Sequence, residues 1–343
     1  MLMMIQRMNA HCTSRPEAAS FCGGDLMIHI DTQDIEANGI TLRTDLAGAG
    51  MPVLLCHGFP ESRHSWRHQL PALAAAGYRV IAPDMRGYGG STSPAAVEDF
   101  TLLHLVGDMV ALLDALGHER AVIVGHDWGA FVAWTAAQLR PDRFVAVAGL
   151  SVPFSPRSPA APLEILRRRG LARFYWLWFV DQPAAEAELD ADVAEGLRRI
   201  YWGLSGAMPD PLWDGIVGPD GFLGSFPVPD GLPAWLSPHD MHRQVAAFAG
   251  GFRGPLNWYR NMDRNWSLLG AFAGMRITQP AMFAAGARDP VVGWGAKAVA
   301  AHKQTLPGLV SNTLLPGIGH WVQQEAPAAV NDLLLAFLRA VVW

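Results

Sequence analysis

A chain of 343 residues that is half hydrophobic and only 17% charged can bury a large core as one α/β domain, with or without an insertion. Its formal charge of −5 leaves no basic field that would hold a nucleic acid. The cysteines Cys12, Cys22 and Cys56 leave one unpaired under any scheme and show no CxxC spacing, which suits a reduced, cytoplasmic setting. The leading residues carry Arg7 but neither a continuous apolar run nor a small-residue cleavage site, so residues 1–27 are read as a loose tail rather than a secretory leader. The most apolar stretches are broken by His126 and Asp127 and, later, by Asn331, Asp332 and Arg339. No membrane span is expected, and a soluble protein is.

In chain order, two alternating segments, Ile28 to Ile35 and Ile40 to Asp45, flank the turn pair Asn38-Gly39 and predict antiparallel strands. The run Pro52 to Cys56 predicts a buried strand. A helix is expected from Ser65 to Ala76, a strand from Arg79 to Ala82, and a helix from Phe100 to Leu116, where Leu102, Leu105, Val106, Met109, Leu112 and Leu113 share a face. Strand Ala121 to Gly125, helix Ala130 to Leu139 and strand Phe144 to Leu150 continue an alternation that implies a mostly parallel sheet covered on both sides. At Ser151 the texture changes: prolines at 153, 156, 159 and 162 precede Arg-rich and Trp-rich helical segments, with an extended loop over Gly206 to Pro238. The sheet pattern resumes with Ala281 to Ala285 and Ser311 to Leu315 and closes on a helix from Pro327 to Val342. The division expected is a core of residues 28–151 and 275–343 carrying a mainly helical cap of residues 152–274.

Gly125-His126-Asp127-Trp128-Gly129 falls where a predicted strand meets a predicted helix, the place of a nucleophile elbow. Such elbows read G-x-S-x-G, the glycines making room for a tight, strained turn. Here Asp replaces Ser. A carboxylate is already ionised near neutral pH and can attack an sp³ carbon without a base to deprotonate it. The competing reading is that Asp127 only caps the following helix. Downstream, Asp289 lies just past the carboxyl end of a strand, where chemistry gathers in open α/β sheets, and His320 sits in the loop Pro316-Gly317-Ile318-Gly319-His320. The order nucleophile, acid, histidine is complete. His320 is expected to act second, as general base for a water that attacks an ester, with Asp289 fixing its tautomer. The oxyanion of that step needs two preorganised N–H donors, expected from the backbone of Phe59, in His57-Gly58-Phe59-Pro60, and of Trp128. His57 is read as ordering its loop, and Asp84 to Gly89 as structural.

HGFPES at 57–62, GHDWGA at 125–130, ARDPV at 287–291 and GHWVQQEAP at 319–327 resemble the core motifs of the soluble epoxide hydrolases of the α/β-hydrolase superfamily. The resemblance spans roughly residues 28–340. In the insertion, Gly251 to Asn261 closely resembles the family segment that bears a ring-opening tyrosine, which falls on Tyr259; its partner falls on Tyr175, in Phe174 to Phe179. An alkoxide is a poor leaving group, so two protonated phenols suit the opening of a cyclic ether. The resemblance implies an α/β-hydrolase fold and an enzyme that converts epoxides and water to diols through an ester on Asp127.

Trp176, Trp178, Trp202, Trp213, Trp235, Trp258 and Trp266 lie in the expected cap, implying an apolar cavity and lipophilic epoxides as substrates. Trp128, Trp176, Trp178, Trp258 and Trp321 are the expected substrate contacts, though some will only glue helices together. The main rival is a haloalkane or haloacid dehalogenase, which shares the Asp nucleophile but stabilises a halide with N–H donors and needs no acidic hydroxyls. A ligand-binding module without catalysis is the other. A serine esterase is set aside, since Ser151 is not at the elbow. No HExxH, Cys/His cluster or Walker-type loop is present, so no metal and no organic cofactor is implied, only water. The composition leaves room for a homodimer.

Overall fold

Short apolar runs bounded by turn residues become the strands of one sheet. The computed structural model describes residues 28–342; the expectations for the leading tail, Cys12 and Cys22 lie outside the described residues. Strands β1 (Ile30–Ala37) and β2 (Ile40–Ala47) form a hairpin. Its two-residue turn, Asn38 with φ 52° and Gly39 with φ 74°, is the left-handed pair that such hairpins select. There follow β3 (Met51–Cys56), α1 (Gln69–Ala75), β4 (Tyr78–Pro83), α2 (Leu102–Ala115), β5 (Ala121–His126), α3 (Trp128–Leu139) and β6 (Phe144–Leu150). Between β6 and the next strand stand α4 (Pro162–Arg168), α5 (Tyr175–Asp181), α6 (Ala184–Ala191), α7 (Val193–Gly203), α8 (Pro238–Ala247), α9 (Arg253–Arg260) and α10 (Met262–Leu268). The chain then returns through β7 (Ala281–Gly286), α11 (Pro290–Trp294), α12 (Ala296–Thr305), β8 (Leu309–Leu315), α13 (Val322–Glu325) and α14 (Pro327–Ala340).

The sheet runs β1-β2-β4-β3-β5-β6-β7-β8, antiparallel at β1, β2 and β4 and parallel from there on. Alternation along β5 shows how both faces are buried: Val122 and Val124 pack with α1 and α14, whereas Ala121 and Ile123 pack with α2 and α3. Most predicted elements match within a residue or two. The helix expected from Ser65 begins later, because Ser62 accepts the His64 N–H (3.3 Å) and holds Arg63–Trp66 in a 3-10 turn before α1. No helix among the described residues is long and apolar enough to cross a membrane.

The helices between β6 and β7 bond to the sheet's carboxyl-end loops by specific polar contacts. The Trp258 indole N–H donates to the Arg86 carbonyl (3.1 Å) and the Tyr201 hydroxyl to the Pro60 carbonyl (2.7 Å). Asn265 accepts the Leu102 N–H (2.8 Å) and so caps α2 from across the interface. Beneath this seam Arg86 meets Asp108 through two parallel bonds (2.7 and 2.5 Å), with both side chains buried and Asn38 completing the carboxylate (2.8 Å). Removing one member of such a pair strands the other charge, so Asp108→Ala is expected to cost about 3–5 kcal/mol in urea unfolding, whereas the double change Arg86→Leu/Asp108→Leu should cost much less. A single variant as stable as the parent would show that water reaches Arg86.

Candidate active site

The turn from β5 into α3 forces Asp127 to φ 51° and ψ −118°, a conformation that L residues avoid unless their surroundings dictate it. Here the surroundings are backbone at contact distance. A Cβ on Gly125 would stand 1.9 Å from the Gly129 carbonyl oxygen, and one on Gly129 would stand 2.0 Å from that of Cys56. The glycines are thus required by close approach. Asp127 makes no side-chain bond to the N-terminus of α3 as a helix cap would. Its Oδ1 instead accepts the Phe59 N–H at 2.7 Å, and the Trp128 N–H also favours its charge. Burial raises the carboxyl pKa, against His320, His126 and the two amides, which pull it down.

Oδ2 of Asp127 faces Nε2 of His320 at 3.7 Å. On the far side of the ring, Nδ1 lies 3.2 and 3.1 Å from the oxygens of Asp289, which also accepts the Val291 N–H (2.9 Å). A carboxylate at Nδ1 fixes a proton there, and in the charged ring Nε2 carries a second proton that faces Oδ2 of Asp127. Burial opposes charge on His320, but Asp289 and then Asp127 outweigh it and push the pKa up to about 9. The structure thus brings the three expected triad residues together in one buried cluster.

Tyr175 opens α5 and Tyr259 lies in α9, with ring centroids 6.1 Å apart. Both rings line the narrow chamber that also contains Asp127 and His320, walled by Phe59, Trp213, Phe222 and Trp294. Burial raises both phenol pKa values, so both hydroxyls hold their protons. Trp128 packs edge-on against Tyr259 (5.1 Å). The other expected tryptophan contacts are distributed differently. Trp258 and Trp321 are wholly buried, their indole N–H groups bonded to the carbonyls of Arg86 (3.1 Å) and Tyr201 (2.9 Å). Trp176, with Trp128, lines a separate apolar cleft of about 510 Å³ that contains none of the acid–base groups. Trp178, itself partly buried, packs against the hydrophobic core and lines neither space. Trp213 and Trp294 are the tryptophans that face the chamber.

Sequence reasoning gave no role to Glu61, which proves to be the hub of the site's floor. Its Oε2 meets Nδ1 of His126 (2.7 Å) and the Gly58 N–H (3.3 Å), while Oε1 accepts from Gln323 (2.9 Å) and Gln324 (2.8 Å). Burial works against its charge, but His126, with His57 and the Gly58 N–H, holds its pKa below the usual carboxylate range. Nε2 of His126 reaches the carbonyl of His320 (2.8 Å). Three loops, bearing Phe59, Asp127 and His320, are therefore tied at one point. Glu61 and the two glutamines all lie in the motifs quoted above, which was the available signal. His57 orders its loop as expected, accepting the Met85 N–H (2.9 Å).

Comparisons with known proteins agree with this architecture. A family model described as alpha/beta hydrolase fold matches residues 51–192. The chain is 47% identical to epoxide hydrolase A of Mycobacterium tuberculosis over 313 residues, covering 90% of this chain and 97% of that one. It is 41% identical to an epoxide hydrolase of Caballeronia sordidicola, covering 92% and 96%. Among solved structures, epoxide hydrolase A from Mycobacterium thermoresistibile superposes with a TM-score of 0.86 at 47% identity, covering 92% of this chain and 99% of that one. Relatives this similar along nearly the whole of both chains establish that the protein belongs to the epoxide hydrolases of the α/β-hydrolase superfamily, enzymes that hydrolyse epoxide ethers.

Proposed function

We propose that this epoxide hydrolase works through a covalent ester on Asp127, with residues 152–274 acting as a cap over a core of residues 28–151 and 275–343. The observation that carries the reading is the division of labour between the two oxygens of Asp127: Oδ1 is held by the Phe59 N–H at 2.7 Å, whereas Oδ2 is turned to His320. In the first step Oδ2 attacks a ring carbon and the carbon–oxygen bond of the epoxide breaks. Tyr175 and Tyr259 hydrogen-bond the departing oxygen; one supplies its proton, and the phenolate so formed regains a proton from the imidazolium of His320, which leaves that ring neutral for the next step. In the second step His320 takes a proton from water, which attacks Cγ of Asp127. The oxyanion forms on Oδ1, already held by the Phe59 amide at 2.7 Å, with the Trp128 N–H as the second donor this reading assigns. Collapse releases the diol bearing the original Oδ2, its alkoxide taking the proton from His320; Asp127, now holding an oxygen from water, passes its carboxyl proton to the imidazole and the resting charges return.

The charges favour this order. At rest His320 sits between two carboxylates and is held protonated, with a pKa of about 9. Esterification turns Asp127 into a neutral group, removes one of those anions, and lowers the imidazole pKa when a base is required. The apolar walls of the chamber favour a lipophilic epoxide. A dehalogenase reading is not favoured: two phenols face Asp127, and the relatives at 39–47% identity are epoxide hydrolases.

A single turnover of styrene oxide in heavy-oxygen water should label the Asp127 carboxylate and not the diol, and Asp127→Asn should give no diol. Label appearing directly in the diol would mean that water, not Asp127, opens the ring. Tyr259→Phe and Tyr175→Phe should each slow ring opening about tenfold or more, and the double variant should approach the full contribution of a general acid, roughly a thousandfold; stopped-flow tryptophan fluorescence reads this step through Trp128. Ester hydrolysis needs neutral imidazole, so its rate should rise with pH through the pKa of the esterified enzyme. That midpoint should lie below the 9 of the resting state, and a midpoint at or above it would contradict the charge argument.

A further inference from the structure

Ser151 touches Asp289 and His320 without taking part in either chemical step. Ser151 follows the last residue of β6 with φ 70°, and the Val152 N–H bonds back to the Leu150 carbonyl (2.8 Å), forming a three-residue turn around it. Turns of this hand are rare and strained for any residue with a side chain, and they concentrate where geometry serves function. The Ser151 N–H is anchored on the Ala284 carbonyl (3.0 Å) of the neighbouring strand. The side chain is completely buried, and its Oγ donates to Oδ2 of Asp289 while standing 2.8 Å from Nδ1 of His320.

That contact is shorter than either contact between His320 and Asp289, at 3.1 and 3.2 Å. A hydroxyl has one proton and two lone pairs. With the proton committed to a carboxylate, only a lone pair can face the imidazole, so Nδ1 must carry hydrogen in both the neutral and the charged ring. Asp289 enforces the same tautomer at a looser distance, while Ser151 adds a second acceptor at Nδ1. On the opposite side of the ring from the chamber, Ser151 is not positioned to attack a substrate.

We infer that Ser151 is a positioning residue for the second half-reaction: its strained turn places Oγ between Asp289 and His320, locking the tautomer of the imidazole that activates water. This assignment rests on the ester mechanism proposed above, in which ring opening needs no base.

The test is Ser151→Gly, since glycine is at ease at a φ of 70° and the fold is not at stake. Alkylation followed by stopped-flow fluorescence should keep its rate within about twofold. Ester hydrolysis should slow roughly tenfold or more, the effect of losing one charge-assisted hydrogen bond, so that alkylated Asp127 peptide accumulates in quenched-flow mass spectrometry. In an Asp289→Asn background the same change should add little, because both act through one imidazole. Hydrolysis at the parental rate in Ser151→Gly overturns the assignment alone, as does an equal fall of both half-reactions with a lowered Tm, which marks a packing role. Absence of any Asp127 adduct in the parent enzyme overturns the ester mechanism itself and the assignment with it.

Discussion

The buried carboxylate of Glu61 is the contact on which the site's geometry depends. An ion excluded from water is tolerated only when hydrogen bonds and an opposite charge surround it. Glu61 is surrounded by His126, Gly58, Gln323 and Gln324, which come from three segments far apart in sequence. Each of those segments leads into or out of one part of the site proposed above: an amide at Phe59, the carboxylate at Asp127, the imidazole at His320. Because the penalty for any missing partner is large, the segments hold one arrangement, and Oδ1 of Asp127 meets its amide without adjustment.

The same accounting applies to the layer of aromatic residues above. Tyr259 touches Phe59, Trp128 and Phe179 edge-on, with centroids 5.3, 5.1 and 5.0 Å away. Edge-to-face packing of this sort restrains a ring more firmly than aliphatic contacts do. The phenol is thus aimed by its neighbours, and burial keeps it protonated. Apolar walls and the acidity of the group they hold have one cause.

Much of this could be read in the chain before its structure. The strands announced themselves as short apolar or alternating runs bounded by turn residues, and Asn38-Gly39 announced its hairpin. Asp127, Asp289 and His320 were legible because each follows a strand in the order the architecture requires. What escaped were interactions without local periodicity. Glu61 pairs with residues 65 and more than 260 positions away, and no spacing encodes that. Trp258 and Trp321 looked like walls of a cavity, yet their indoles bond to backbone carbonyls, which every residue possesses and which therefore leave no trace in a sequence. Ser151 was passed over because its importance lies in a left-handed turn, and serine is not a residue that signals one.

The helices from α4 to α10 leave the sheet after β6 and rejoin it at β7, and these two strands are direct neighbours, with Val147 opposite Ala281 and Leu150 opposite Ala284. The ends of the excursion therefore emerge side by side on a scaffold that closes without it. A segment attached in this way can lengthen, shorten or be exchanged between relatives while the strand register stays intact. The two tyrosines ride on that exchangeable piece, whereas the carboxylate, its amides and the histidine belong to the fixed one. Under the ester mechanism proposed above, selection can thus reshape which ring is admitted independently of how the ester is cleaved.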